Sequence, residues 1–226
     1  MSLDQRQQDT VRKYIATLGG IRVDVPIMGA FWVGQECVAH MLATGEDYRE
    51  VPYDPTYDGS TYTEVYVHDQ RITLTHESFG QRRAAALDDF ERGIIQRGEA
   101  FVFVYDVTKR ESFVKVEEEF QKFCTVHGIE STTVEPRSRR TRLILVANRI
   151  DLPRKDWAVT PEEGQALCER IGAGAFIQMS DLTGEGSSKD ILVDLLSQVM
   201  FRRAYAAGVR DRKSRFSKYL DPGARE

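Results

Sequence analysis

Apolar positions along the chain change their period from segment to segment, and the changes mark out the elements. Over residues 4–18, Val11, Tyr14, Ile15 and Leu18 fall on one helical face, and Gly19-Gly20 ends the run. Residues 21–28 form an apolar strand pattern with Pro26 inside it. A proline removes a ladder donor, so a break or bulge is expected there. A glycine-bounded loop and a helical stretch over 35–44 follow. Residues 63–68 and 71–76 read as two strands of a hairpin that turns at Asp69-Gln70, and 82–96 reads as a helix. The runs 101–105 and 143–147 are apolar without interruption, as strands covered on both faces are, with a helix over 111–126 between them. Thr160 is placed as an N-cap and Pro161 at the first position of a helix over 161–171. A strand at 175–179 and a helix over 187–207 complete the pattern.

Strands that alternate with helices imply βαβ units: an α/β chain with a mostly parallel six-stranded sheet and helices on both faces. Ligands in such folds sit at the C-terminal ends of the strands. The chain divides into an N-terminal helical extension (1–20), the α/β unit (21–200) and a basic tail (201–226). Residues 128–142 are polar, with Arg137, Arg139, Arg140 and Arg142, and read as an exposed loop. The tail carries Arg202, Arg203, Arg210, Arg212, Lys213, Arg215 and Lys218 among aromatic residues.

Composition narrows the function classes. At 226 residues and 41% hydrophobic the chain has enough for one generous core. With 31 basic against 35 acidic residues, no global charge argues for nucleic acid, and no specific nucleic-acid partner is expected. Cys37, Cys124 and Cys168 have neither metal-ligand spacing nor a disulfide framework, which points to a reducing compartment. No apolar run is long enough to span a membrane, and neither end shows a signal core or a lipid anchor, so a cytoplasmic or nuclear location is expected.

The chemistry gathers at strand ends. Gly29-Ala-Phe-Trp-Val-Gly34-Gln35-Glu36 follows a strand and opens a helix, with the spacing of the phosphate loop G-x-x-x-x-G-K-[ST]. Tyr53-Asp54-Pro55-Thr56 precedes the hairpin, Glu77-Ser78-Phe79-Gly80-Gln81 closes it, Asn148-Arg149-Ile150-Asp151 follows the strand at 143–147, and Met179-Ser180-Asp181-Leu182 follows the last strand. Together these segments resemble the Ras superfamily of small GTPases over about residues 21–200. The resemblance implies a P-loop G domain. It also implies backbone amides around a polyphosphate, Thr56 and Gly80 sensing the γ-phosphate, and Gln81 as the candidate catalytic residue orienting water. Asn148 would support the loop, Asp151 would accept the guanine edge, Arg149 would cover the base, and Ser180 would hold the last loop.

Two positions of the phosphate loop depart from that pattern, as do Glu77, Arg149, Asp181 and Leu182, which stand for Asp, Lys, Ala and Lys. Gln35 stands for the phosphate-binding lysine and carries no charge, and Glu36 stands for the Mg²⁺-binding hydroxyl. Two like charges 4 Å apart repel by roughly 4 kcal/mol at an effective dielectric of about 20. Glu36 gains roughly 0.3–1 kcal/mol from the helix dipole and takes the anion position itself. Phe31 and Trp32 either fill the phosphate cavity or face a partner; the sequence leaves both open. Tight nucleotide binding is therefore expected to be lost, leaving a Ras-like pseudoGTPase that serves as a protein-interaction module. Its partner face would be residues 55–62 and 80–89, and the 202–218 tail would suit an anionic lipid or an acidic partner. The alternative is a divergent switch between GTP and GDP states, with Mg²⁺ held by Glu36, Thr56 and Glu77.

Overall fold

The computed structural model describes residues 3–45, 60–79, 89–129 and 142–209. Among the described residues six α-helices surround one sheet: α1 (Gln5–Ala16), α2 (Gln35–Thr44), α3 (Asp89–Arg97), α4 (Arg110–Val126), α5 (Pro161–Ile171) and α6 (Lys189–Ala206). The strands are β1 (Ile21–Asp24), β2 (Ile27–Gly29), β3 (Ser60–Val67), β4 (Gln70–Phe79), β5 (Phe101–Asp106), β6 (Leu143–Asn148) and β7 (Ala175–Met179). They run in the order β1-β4-β2-β5-β6-β7, with β3 on the outer edge of β4, and every pairing except β3 with β4 is parallel.

Seven strands occupy six places because the first strand is broken at Pro26. β1 pairs with Ile72 to Thr75 of β4 and β2 with Ser78 and Phe79 farther along it. The Pro26 carbonyl still accepts from Val102 N–H at 3.1 Å, and Val25 N–H donates to the Thr75 carbonyl at 2.8 Å. The break therefore costs the sheet one donor and little else.

The hairpin turns one residue earlier than the pattern predicts. Val67 faces Gln70, and the two turn residues are His68 and Asp69, with φ of 49° and 62°. Positive φ at both central residues gives the turn the twist that matches a right-handed hairpin. The register it sets sends Thr63, Val65 and Val67 inward and Tyr62, Glu64 and Tyr66 outward.

The unbroken apolar strands divide their side chains between two cores. Val102 and Val104 of β5 pack with α1, α2 and α6, while Phe101, Phe103 and Tyr105 pack with α3, α4 and α5. β6 splits in the same way, Ile144 and Val146 against Leu143, Leu145 and Ala147. Both faces are thus dry, which is what continuous apolar runs require. α1 joins the first core through Val11 and Ile15, both fully buried. Capping boxes start α1 at Asp4 and Gln7 and α5 at Thr160 and Glu163, the latter with Pro161 in its first turn. Parallel strands and returning helices bring the ends of β2, β5, β6 and β7 to one edge of the sheet, where the site lies.

Candidate functional site

The phosphate-type loop runs from the end of β2 into α2. Gly29 is buried against β5, and a Cβ there would overlap the Val104 carbonyl. Gly34 caps α2 with φ 84°, and a Cβ there would overlap the Asp181 carboxylate and stand 2.7 Å from Asn148 Nδ2. Gly29 is fixed by close approach, and Gly34 by close approach and by its left-handed backbone angle. Between them Trp32 takes a left-handed φ of 62° although it is not glycine. Its side chain is 74% exposed and meets Phe31, itself 46% exposed, edge to face at 5.3 Å. The aromatics face outward, which answers the question the sequence left open.

Gln35 opens α2 and is buried at 4% exposure. Its Nε2 donates to the Gly29 carbonyl at 3.3 Å, so the amide closes the loop upon itself. Glu36 follows in the first turn, half-buried.

The loops after β6 and β7 are tied to this one by side chains. Asn148 is fully buried at the end of β6. Its Nδ2 donates to the Val33 carbonyl at 2.8 Å, and its Oδ1 accepts from Asp181 N–H at 2.9 Å. One amide thus pins the phosphate-type loop and the 180–186 loop together. Arg149, at φ 69°, sends its guanidinium back across the site, donating to the Trp32 carbonyl and to Asp106 Oδ2, both at 2.9 Å. Asp106 is fully buried at the end of β5 and also accepts from Thr108 N–H and Oγ1 at 2.9 and 2.6 Å. Ser180 spends its hydroxyl inside its own loop, accepting from the N–H groups of Leu182 and Thr183 at 3.1 and 3.0 Å. Asp151 Oδ1 is buried with no hydrogen-bond partner among the described residues.

The local electrostatics are acidic. Asp181 titrates above the ordinary aspartate range because burial disfavours its charge and Asp151 adds to this. A hydrogen bond from Asn148 and the charge of Arg149 pull partly back. Burial, then Asp181, then Glu36 push the Cys37 thiol up to about 11, so it is a protonated, unreactive group.

The structure therefore brings together Gly29, Gly34, Gln35, Glu36, Asn148, Arg149, Asp151 and Ser180. Glu77 lies on β4 opposite Ser60. Thr56, Gly80 and Gln81 lie outside the described residues, as do most of 55–62 and 80–89. Two participants escaped the sequence reading. Asp106 is one; its signal was an acid closing an apolar run, which must find a cation when buried. Asp181 is the other; it stands after the last strand, and no local pattern sets it beside the phosphate-type loop.

A doubly wound α/β sheet with a glycine-bounded loop between its central strand and a helix defines a P-loop nucleotide-binding fold. A family model described as Ras family matches residues 25–200, and the chain belongs to the Ras family. It is 31% identical over 194 residues to the Ras-related and estrogen-regulated growth inhibitor of Bos taurus, covering 85% of this chain and 88% of that protein. The Homo sapiens protein of the same name is 30% identical over the same length. GTP-binding protein Di-Ras3 of Homo sapiens is 27% identical over 164 residues, 70% of this chain and 63% of that one.

Ras proteins normally bind GTP or GDP with Mg²⁺, and the residues present fit half of that group. An orphaned, buried carboxylate oxygen on Asp151 suits the donor edge of a guanine. The phosphate side does not fit: its side-chain amide is turned into the loop and carboxylates flank its helix. Among the described residues no three His, Cys, Asp or Glu side chains gather as a metal site. No helix among them is long and apolar enough to cross a membrane.

Proposed function

We propose that this chain is a Ras-like protein-interaction module with weak guanine-nucleotide binding and no efficient hydrolysis. The observation that carries this reading is the Gln35 amide. It is buried, uncharged and hydrogen-bonded to Gly29, in the place where the family pattern needs a cation for the β and γ phosphates. Glu36 and Asp181 add negative charge beside the same helix end.

A protein partner would engage the switch-like segments 55–62 and 80–89. Tyr62, 62% exposed, and the exposed Asp89 are the parts of that face with described side chains. Phe31, Trp32, Leu152 and Leu182 extend it as exposed apolar groups around the site. The basic tail is a second contact for an anionic lipid or an acidic partner. That role falls to the residues beyond Val209, because Arg203 is already spent on Glu99 and on the Arg22 carbonyl.

One observation favours the other reading, a divergent GTP/GDP switch: the unpartnered Asp151 oxygen is kept buried where a base edge would satisfy it. Calorimetric titration of nucleotide-stripped protein with GTP, GDP and ATP, with and without Mg²⁺, separates the two. We expect no binding tighter than high micromolar. Sub-micromolar, Mg²⁺-dependent GTP binding would overturn the module reading in favour of the switch.

A further inference from the structure

We infer that Asp181, on the loop after β7, sets guanine-nucleotide affinity in this chain, its carboxylate serving as a built-in anion on the first turn of α2. The inference rests on the weak-binding reading above and names a further residue that contributes to it.

The support is one close approach at the start of α2 and one electrostatic influence a turn farther on. At its start, Asp181 Oδ2 lies so close to Gly34 that no side chain fits between them. Three residues later, the charge of Asp181 is felt by the Cys37 thiol. The carboxylate therefore lies along the turn from Gly34 to Cys37. The first amides of a helix have no intrahelical acceptor, and that end carries the positive pole of the dipole. An anionic ligand bound to this helix would use the same amides and the same field. A phosphate on those amides would lie next to the negative charge of Asp181, which is covalently present.

The loop holds the carboxylate there. Asp181 N–H donates to Asn148 Oδ1 at 2.9 Å, and Asn148 in turn holds the Val33 carbonyl. On either side, Ser180 N–H donates to the Glu185 carbonyl at 2.9 Å and Gly184 N–H to the Ser180 carbonyl at 3.0 Å. These bonds fix the backbone at Asp181, and a hydrogen bond from the Asn148 side chain holds the carboxylate itself. Arg149 offsets only part of the charge, because its guanidinium is hydrogen-bonded to Asp106 and the Trp32 carbonyl.

The test is a fluorescence titration of the full chain and three variants with a fluorescent GDP analogue at neutral pH. Asp181→Ala removes the anion, Asp181→Asn keeps the shape without the charge, and Asp181→Glu keeps the charge. We expect Asp181→Ala and Asp181→Asn to bind at least tenfold more tightly than the parent, and Asp181→Glu no more tightly. Affinities of Asp181→Ala and Asp181→Asn within twofold of the parent would overturn the role of Asp181, whatever the parent's own affinity. A sub-micromolar parent would instead sink the weak-binding reading, and the ratio between parent and variants would still decide the inference. Thermal unfolding of each variant confirms that the compared proteins are folded.

Discussion

The loops on the two sides of the site are built from the same kinds of parts and reach opposite ends. On the base side, Asn148, Arg149 and Ser180 commit their polar groups to neighbouring backbone and to Asp106, and this leaves Asp151 with a buried oxygen unspent. On the phosphate side, Gln35 commits its amide to Gly29, and what stays unspent is the charge of Glu36 and Asp181. The first side keeps a framework that suits a donor-rich ligand. The second keeps the backbone shape of a phosphate loop, two glycines held by close packing, with side chains that disfavour an anion. Shape and chemistry have separated within about ten residues, and shape is the part that the fold itself needs.

The largest effect is expected where the two sides share a residue. Asn148→Ala removes the hydrogen bonds that tie the two loops and leaves the Val33 carbonyl and Asp181 N–H unpaired. Each orphaned buried group costs about 1–3 kcal/mol, so a loss of about 3 kcal/mol is expected in urea unfolding. A loss under about 1 kcal/mol would mean that the two loops are held independently and that the contrast between them is only local.

Next in size is the repair of the phosphate side alone. Gln35→Lys with Glu36→Ser supplies a cation and a metal-binding hydroxyl without touching the base side. We expect GTP affinity to rise about a hundredfold, about 2.7 kcal/mol, and to become Mg²⁺-dependent in calorimetry. No gain would place the whole defect in Asp181 and the loop after β7.

Smaller again is a pH effect from Asp181. Burial raises its folded-state pKa above that of the unfolded chain. In the window between those two values the native state holds more protons, so stability falls as pH rises through it, and the full penalty applies above it. Asp181→Asn should therefore raise the melting temperature by roughly 2 °C at pH 7, and the gain should fade as pH drops through the ordinary aspartate range. A gain that persists at low pH would trace to packing rather than charge.

How much of this was legible in the sequence differs between backbone and side chains. The element order was, because period-2 and period-3.6 patterns, the Thr160 cap and the uninterrupted runs at 101–105 and 143–147 each name one conformation. The break at Pro26 was legible too, since a missing N–H has only one consequence in a ladder. The hairpin turn was misplaced by one residue because His68 and Asp69 carry no glycine to advertise positive φ. At the site, identity revealed which groups were missing, as with Gln35 and Glu36. It did not reveal direction. That Gln35 points at Gly29, that Arg149 reaches a buried Asp106, and that Asp181 lies on Gly34 are facts about pairs more than thirty residues apart or across a turn, and no local pattern encodes them.

Direction also governs the smallest expected effect, at Trp32. Its indole is 74% exposed beside Phe31, so the aromatic pair should not obstruct the phosphate side. In the Gln35→Lys, Glu36→Ser background, where affinity is measurable, Trp32→Gly should change GDP affinity by less than about threefold, under about 0.7 kcal/mol. Stability should change little as well. Glycine relieves a left-handed backbone that costs a non-glycine residue about 1–2 kcal/mol. Against that stand the added freedom of the unfolded glycine and the lost edge-to-face contact, each about 0.5–1.5 kcal/mol. A tenfold gain in affinity would show that the indole reaches into the site, and steric occlusion would then join charge as the reason the two sides differ. A flat response leaves the difference to charge alone, and assigns Phe31 and Trp32 to the outward face that a protein partner would meet.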